Sequence, residues 1–253
     1  MGGAVVADTV TSRALRILGA FTASQPSMSL SQISRCALLP LSTTHRLVAE
    51  LTAWGALERD PAGTYRIGLR LWEVAALAPR GIGLRDAALP YLEDLYEATH
   101  ENVQLAVLDD LEVVYVERIR GRDAVPVLTR PGLRFTPHAT GVGLVLLAHA
   151  DPEVQERYLA DRLRTFTAKT IGDHRQLRSV LAEIRRKGYA VSDGQVTLDA
   201  LSVAAPVYHD DAVVAALSLV VHADRFPAPS GLAPAVIAAA RGISRGLARL
   251  SPP

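Results

Sequence analysis

The hydrophobic period changes at Gly55, and that change limits what the first eighty residues can fold into. Before it, apolar residues recur at helical spacing in three successive segments. Residues 11–21 place Ala14, Leu15, Ile17, Leu18 and Phe21 on one expected face, with Thr11 or Ser12 as cap. Residues 29–36 turn Leu30 and Ile33 inward and offer Ser29 or Ser31 as cap. The turn Ala37-Leu38-Leu39-Pro40 follows, because Pro40 pushes Leu39 out of helical geometry. A third helix over 42–54 is expected to end at Gly55. Beyond it, residues 56–59 and 64–67 read as short strands around the turn Asp60-Pro61-Ala62-Gly63. Three short helices and a two-stranded hairpin make the order of a winged helix-turn-helix.

The third helix suggests what this unit does. Thr44, Leu47, Val48 and Leu51 fall at i, i+3, i+4 and i+7 and form the expected buried stripe. Ser42, Thr43, His45 and Arg46 are left outside, in the first turns, where a recognition helix meets base edges. Ser42 is expected to cap the helix and leave backbone N–H groups facing a phosphate. Thr43 is short enough to touch a base edge or a phosphate, and Arg46 can donate two hydrogen bonds to guanine. Arg59, Tyr65 and Arg66 on the hairpin suit the DNA backbone or the minor groove beside it. A charged outer helix face is commonplace by itself; the whole order of helices, proline turn and basic hairpin points to double-stranded DNA. Charge agrees weakly: residues 1–80 hold eight Arg, no Lys and five acidic residues, a net of +3, against −2 for the rest.

Residues 69–78 resume helical spacing, and Pro79-Arg80-Gly81 is the clearest break in the chain. Two domains are expected, 1–80 and 81–253. In the second, a helix over 84–99 precedes a hairpin, 103–108 and 113–119, turned at Asp109-Asp110-Leu111-Glu112. Residues 140–149, 153–159 and 174–187 read as helices. Strands 202–208 and 213–221 turn at Asp210-Asp211, and a last helix covers 232–250. The fold class is α+β: an antiparallel sheet with helices packed on it.

Several classes find no support in the sequence. No run of about 18 apolar residues could span a bilayer, and the N-terminus lacks a basic segment followed by an apolar run, so a cytoplasmic protein without membrane association is expected. Cys36 is the lone cysteine, read as a core or boundary thiol. The histidines at 45, 100, 138, 149, 174, 209 and 222 lack ligand spacing, so no metal and no cofactor is expected. Gly141-Val142-Gly143 is too short for a dinucleotide fingerprint, and no nucleophile elbow or zinc motif occurs, so no catalytic residues are assigned. His138 reads as a structural residue in the turn before a helix.

The chain resembles the IclR family of bacterial transcriptional regulators over nearly its whole length. The likeness rests on SRALRIL, SLSQIS…LPLSTTHRLVAEL and LERDPAGTYRIGLRL in the first half. In the second half it rests on LRDAALPYLEDL, NVQLAVLD, RPGLRFTPHATGVG, RRKGYAVSDG and SVAAPVYHDDAVVAALSL. The resemblance implies a GAF-like α/β effector-binding domain, a homodimer or homotetramer, and allosteric control by a small metabolite, often an organic or aromatic acid. Carried over by position, it implies apolar pocket walls at Val127 and Phe135 and an anion-binding helix start at Gly141 and Val142. It also implies ligand contacts at Ser192, Ser202 and Ser218. Two departures stand out: Leu144 replaces a usual Lys, and Leu41 replaces a basic residue before the Ser-Thr of the recognition helix. The alternative function is a DNA-binding protein whose C-terminal domain only oligomerises and binds no ligand.

Overall fold

The computed structural model describes residues 8–78, 82–226 and 228–250. The expected break at Pro79-Arg80-Gly81 lies outside the described residues. The chain divides into two compact units, Met1–Pro79 and Arg80–Pro253.

The first unit has the expected order, with differences at its helix starts. Helix α1 (Val10–Gly19) begins earlier than expected, because Thr9 is the cap and its Oγ1 accepts the Ser12 N–H at 3.1 Å. Ile17 is fully buried, whereas Leu15 is 62% exposed. Two residues turn a helix by about 200°, which sends Leu15 to the face opposite Ile17. Helix α2 (Leu30–Cys36) opens with a capping box: Ser29 accepts from the Gln32 N–H, and Gln32 Oε1 accepts the Ser29 N–H at 2.7 Å. Cys36 is exposed rather than part of the core. The turn after it puts Leu38 at φ 54, and Ser34 Oγ donates to the Leu39 carbonyl at 2.6 Å.

Helix α3 (Leu41–Trp54) starts directly after Pro40. Ser42 therefore already lies inside the helix and does not cap it; no side chain does. Thr44 takes up the Pro40 carbonyl instead, through its N–H at 2.9 Å and its hydroxyl at 3.0 Å. That pairing lets a fully buried threonine sit beside Leu47 and Val48. Gly55 ends the helix at φ 90, a conformation that costs glycine little. The wing has three strands where the sequence suggested two. In order they are β1 (Ser27–Met28), β3 (Tyr65–Ile67) and β2 (Leu57–Arg59), all antiparallel. Asp60 closes the hairpin turn by accepting the Thr64 N–H at 2.9 Å and its hydroxyl at 2.5 Å. Helix α4 (Leu69–Ala75) follows. Ile17, Met28, Ile33, Leu47, Val48, Leu57 and Tyr65 form the core of this unit.

The second unit is a six-stranded antiparallel sheet with helices on both faces. Its strands are β4 (Asn102–Asp109), β5 (Glu112–Ile119), β6 (Arg134–Phe135), β7 (Ala190–Asp193), β8 (Ala200–His209) and β9 (Ala212–His222). Their order is β6-β5-β4-β9-β8-β7. Both sequence-legible hairpins are present; the short edge strands β6 and β7 carry too little alternation to be read from sequence. Asp210 and Asp211 turn the β8–β9 hairpin at φ 48 and 62, conformations aspartate tolerates.

Alternation along the strands sorts side chains into two cores. On one face Val103, Leu105, Val203, Leu217 and Leu219 meet α5 (Ile82–Thr99) and α9 (Ala233–Leu250). The two helices approach closely at Gly242, where an added Cβ would stand 2.4 Å from the Tyr91 ring. On the other face Ala106, Ala204 and Ala216 lie beneath α6 (Gly141–His149) and α8 (His174–Lys187), with α7 (Pro152–Leu159) alongside. Helix α6 is buried from Gly141 to Ala148, and small residues on the sheet below make room for it. Leu144 is fully enclosed in this core.

Candidate DNA-facing surface and effector cavity

On the first unit, Ser42, His45 and Arg46 are exposed on the first turns of α3, and Thr43 is half-buried. Arg46 Nη1 lies 2.8 Å from Glu50 Oε1, one turn along the helix, and both side chains are more than half exposed. A pair so exposed contributes little to stability, which leaves the guanidinium available to a stronger acceptor. Arg66 donates from Nε (3.0 Å) and Nη2 (2.9 Å) to Glu58 Oε2. The other oxygen of Glu58 accepts the Leu69 N–H at 3.0 Å, and these bonds, Leu69 foremost, hold the carboxyl below its ordinary pKa.

Tyr65 is a correction to the DNA-facing set. It is 9% exposed, faces the core, and carries the Arg59 guanidinium at 5.6 Å from its ring centroid. On a strand of three residues, alternation sends Tyr65 inward and Arg66 outward. Tyr65 thus supports Arg59 from below.

The second unit contains a cavity, partly open to solvent, between the sheet and the start of α6. Val127, Phe135, Gly141, Val142, Ser192 and Ser202 all line it. Ser218 does not. It is fully buried between Ala216 and Val220 on β9, opposite Gln104 and Ala204, and its hydroxyl has no partner among the described residues. The residue two positions on, Val220, reaches the cavity in its place.

The start of α6 is held by three features. Thr140 caps it, accepting the Gly143 N–H at 3.1 Å, so the free amides of the first turn are those of Gly141 and Val142. Gly141 lies against β8, and Gly143 against the Pro137 carbonyl, where an added Cβ would stand 2.3 Å away. Ser192 Oγ donates to the Ala139 carbonyl at 3.2 Å, tying β7 to the turn that feeds the helix. Beneath that turn His138 is almost fully buried. Its Nε2 lies 2.9 Å from the Arg164 carbonyl, which can only accept, so in the neutral ring Nδ1 accepts, with the Tyr158 hydroxyl at 2.5 Å and the Thr136 hydroxyl at 2.8 Å both in reach. Burial lowers the His138 pKa, opposed by the bond to Arg164.

Gln104, Tyr115, Thr129, Thr140 and Gln195 add polar side chains to the lining that sequence reasoning did not assign to the site. Burial pushes the Tyr115 phenol up, against a hydrogen bond to Thr140. Phe135 stacks on Phe166 with centroids 5.1 Å apart and ring planes 25° from parallel. No Asp, Glu, Lys, Arg or His among the described residues lines the cavity. Among the described residues no group of three or more His, Cys, Asp or Glu could hold a metal ion, and no helix is long and apolar enough to cross a membrane.

Comparison with known proteins agrees with this architecture. Residues 10–61 match the IclR helix-turn-helix domain, and residues 77–245 match the bacterial transcriptional regulator IclR C-terminal domain. The transcriptional regulator XynR of Escherichia coli is 34% identical over 210 residues, 82% of this chain and 83% of its own. BhcR of Paracoccus denitrificans is 32% identical over 242 residues, 93% of this chain and 86% of its own. Among solved structures, an IclR homologue from Microbacterium hydrocarbonoxydans complexed with 4-hydroxybenzoate is 37% identical. It superposes with a TM-score of 0.92 over 96% of this chain and 100% of that one. With a family model covering more than half the chain and both domains in order, this protein belongs to the IclR family of bacterial transcriptional regulators.

Proposed function

We propose that this regulator binds a (pseudo)palindromic operator through two or more copies of α3, and that a small, partly apolar organic acid in the α6 cavity controls that binding. The cavity carries the reading. It combines apolar walls, including the Phe135 ring, with hydroxyl, amide and backbone donors and no charged side chain. That is the usual make-up of a small-molecule site. The free amides of Gly141 and Val142 at a helix start favour a carboxylate over a cation. The 4-hydroxybenzoate-bound homologue supports an aromatic acid as the first compound to try. On the DNA side the reading assigns base contact to Thr43, His45 and Arg46, and backbone contact to Ser42, Arg59 and Arg66. Apolar side chains exposed on α4, Leu69, Trp72 and Val74, support assembly with a second copy. The protein acts in the cytoplasm, where its operator is.

The test is a shift assay on DNA flanking the gene, repeated with a panel of organic acids that includes 4-hydroxybenzoate. An acid that binds in the cavity shifts operator affinity by about 1–3 kcal/mol of coupling. Val142→Trp, which fills the cavity, should remove the response and leave DNA binding intact. An acid that releases the operator equally from wild type and Val142→Trp would place the effector elsewhere.

A further inference from the structure

Gln195 lies two residues beyond the end of β7, lines the cavity and is only 7% exposed. Its surroundings hold it from three sides. Thr170 Oγ1 donates to its carbonyl oxygen at 2.6 Å, and Thr167 Oγ1 donates to the neighbouring Gly194 carbonyl at 2.6 Å. Its side-chain Oε1 accepts the Ile171 N–H at 3.3 Å.

That last bond fixes the carboxamide. A backbone N–H can only donate, so the atom facing it must be the oxygen, and Nε2 is left on the other side. Among the described residues that NH2 group has no partner. Nε2 is not among the fully enclosed polar atoms, so its two donors face the open cavity, where an occupant would bury them and must accept from them. Gln104 gives an instructive contrast. It is 3% exposed on β4, three strand spacings from β7, roughly 14 Å across the cavity. Its amide pairs with the Thr129 hydroxyl at 2.7 Å, and a hydroxyl can donate as well as accept. Gln104 can therefore turn over to suit its occupant, whereas Gln195 cannot.

We infer that Gln195 is a specificity-determining residue of the effector site, whose Nε2 donates to an acceptor oxygen of the bound acid. The inference rests on the cavity being the effector site, as proposed above. It makes the site select by a fixed neutral donor in place of a charge. A ligand lacking an acceptor there leaves two buried N–H groups unpaired, and a site built around such donors rejects that ligand far more strongly than an apolar wall would.

The experiment uses the full-length protein, with 4-hydroxybenzoate as probe in calorimetric titrations. Gln195→Glu keeps an oxygen for the Ile171 N–H, removes both donors and faces the acid with negative charge. Gln195→Met keeps the volume and removes both functions. The melting temperature without ligand is measured first, to show that each variant folds. The expected result is 4-hydroxybenzoate binding weakened roughly tenfold or more in Gln195→Glu at pH 8, with unliganded melting close to wild type. Affinity should partly return as pH falls through the pKa of the introduced carboxyl, whose protonated form regains one donor. Gln195→Met should lose affinity at every pH. Wild-type affinity in both variants, with Val142→Trp abolishing binding, would overturn the role of Gln195 and leave the cavity as the effector site. No binding of 4-hydroxybenzoate, benzoate or 4-hydroxybenzyl alcohol by the wild type itself would overturn both.

Discussion

Gly141 lies so close to Ser202 that a Cβ on the glycine would stand 2.6 Å from the serine Oγ. Helix α6 can begin on the sheet only because this position has no side chain. Gly141→Ala should therefore cost about 1–3 kcal/mol through overpacking, read as a lower melting temperature of the second unit. Adding Ser202→Ala removes the nearest atom and leaves the neighbouring carbons at 3.3 Å, so the double variant should recover most of the loss. Equal melting of the single and double variants would show that the contact does not limit the helix position.

Among the described residues Arg46 is held by Glu50 alone, through an exposed pair. Arg46→Ala should leave folding within about 0.5 kcal/mol of wild type. Its effect should fall on DNA: a cost of roughly 1–3 kcal/mol on the preferred operator and a flattened preference at one base pair, if the contact is to guanine. Substituting Arg66 should instead weaken all sequences alike and reduce the salt dependence by about one phosphate contact. A selection from randomised sites separates the two. An unchanged base preference for Arg46→Ala removes it from the reading face.

The sequence carried these two sites unequally, for physical reasons. The first unit was legible because its signals are local: helical spacing, Pro40, Gly55, and the Asp60 turn. What failed there was single-residue detail. The caps expected at Thr11 or Ser12 and at Ser42 fell inside their helices because α1 and α3 each start slightly earlier, and Tyr65 and Arg66 differ by one step of strand alternation. The cavity depends on pairings between distant residues. Ser192 meets Ala139 across 53 positions, and Gln195 meets Ile171 across 24. Family likeness led to Ser192 and Ser202 but not to Gln104 or Gln195, whose importance depends on which of their atoms are already bonded. Ser218 was misplaced because facing the correct side of the sheet does not guarantee reaching the cavity.

His138 provides a pH dependence with a definite sign. Its pKa in the folded protein is lowered from 6.5, so the neutral form is the one the fold prefers. A base with a depressed pKa contributes stability that is complete above its unfolded value and is lost as pH falls from there through the folded value. The unit should thus lose stability below about pH 6.5, well above the acid range where Glu156 and Glu183, with lowered pKa values, begin to lose theirs. Protonation would place a donor on Nδ1 against the Tyr158 and Thr136 hydroxyls, one of which must then accept. His138→Gln should melt lower than wild type at pH 7.5 yet show a flatter loss between pH 6.5 and 5. Parallel curves for the two proteins would mean that other groups set the dependence.

The two units should separate as folding domains, 1–80 and 81–253. The first unit's core runs from Ile17 to Tyr65, and the two cores of the second lie between Leu84 and Ile243 on opposite faces of its one sheet. A fragment of 81–253 keeps both helix layers of the six-stranded sheet and every residue that lines the cavity. Expressed alone, it should melt cooperatively, oligomerise, and bind the same acid as the full chain with similar affinity. It should bind no operator. Limited proteolysis of the full chain should cut first near 79–83, where Pro79-Arg80-Gly81 joins the units. A fragment that is unfolded without residues 1–80, or a protease-resistant full chain at that position, would show that the second unit needs the first to fold.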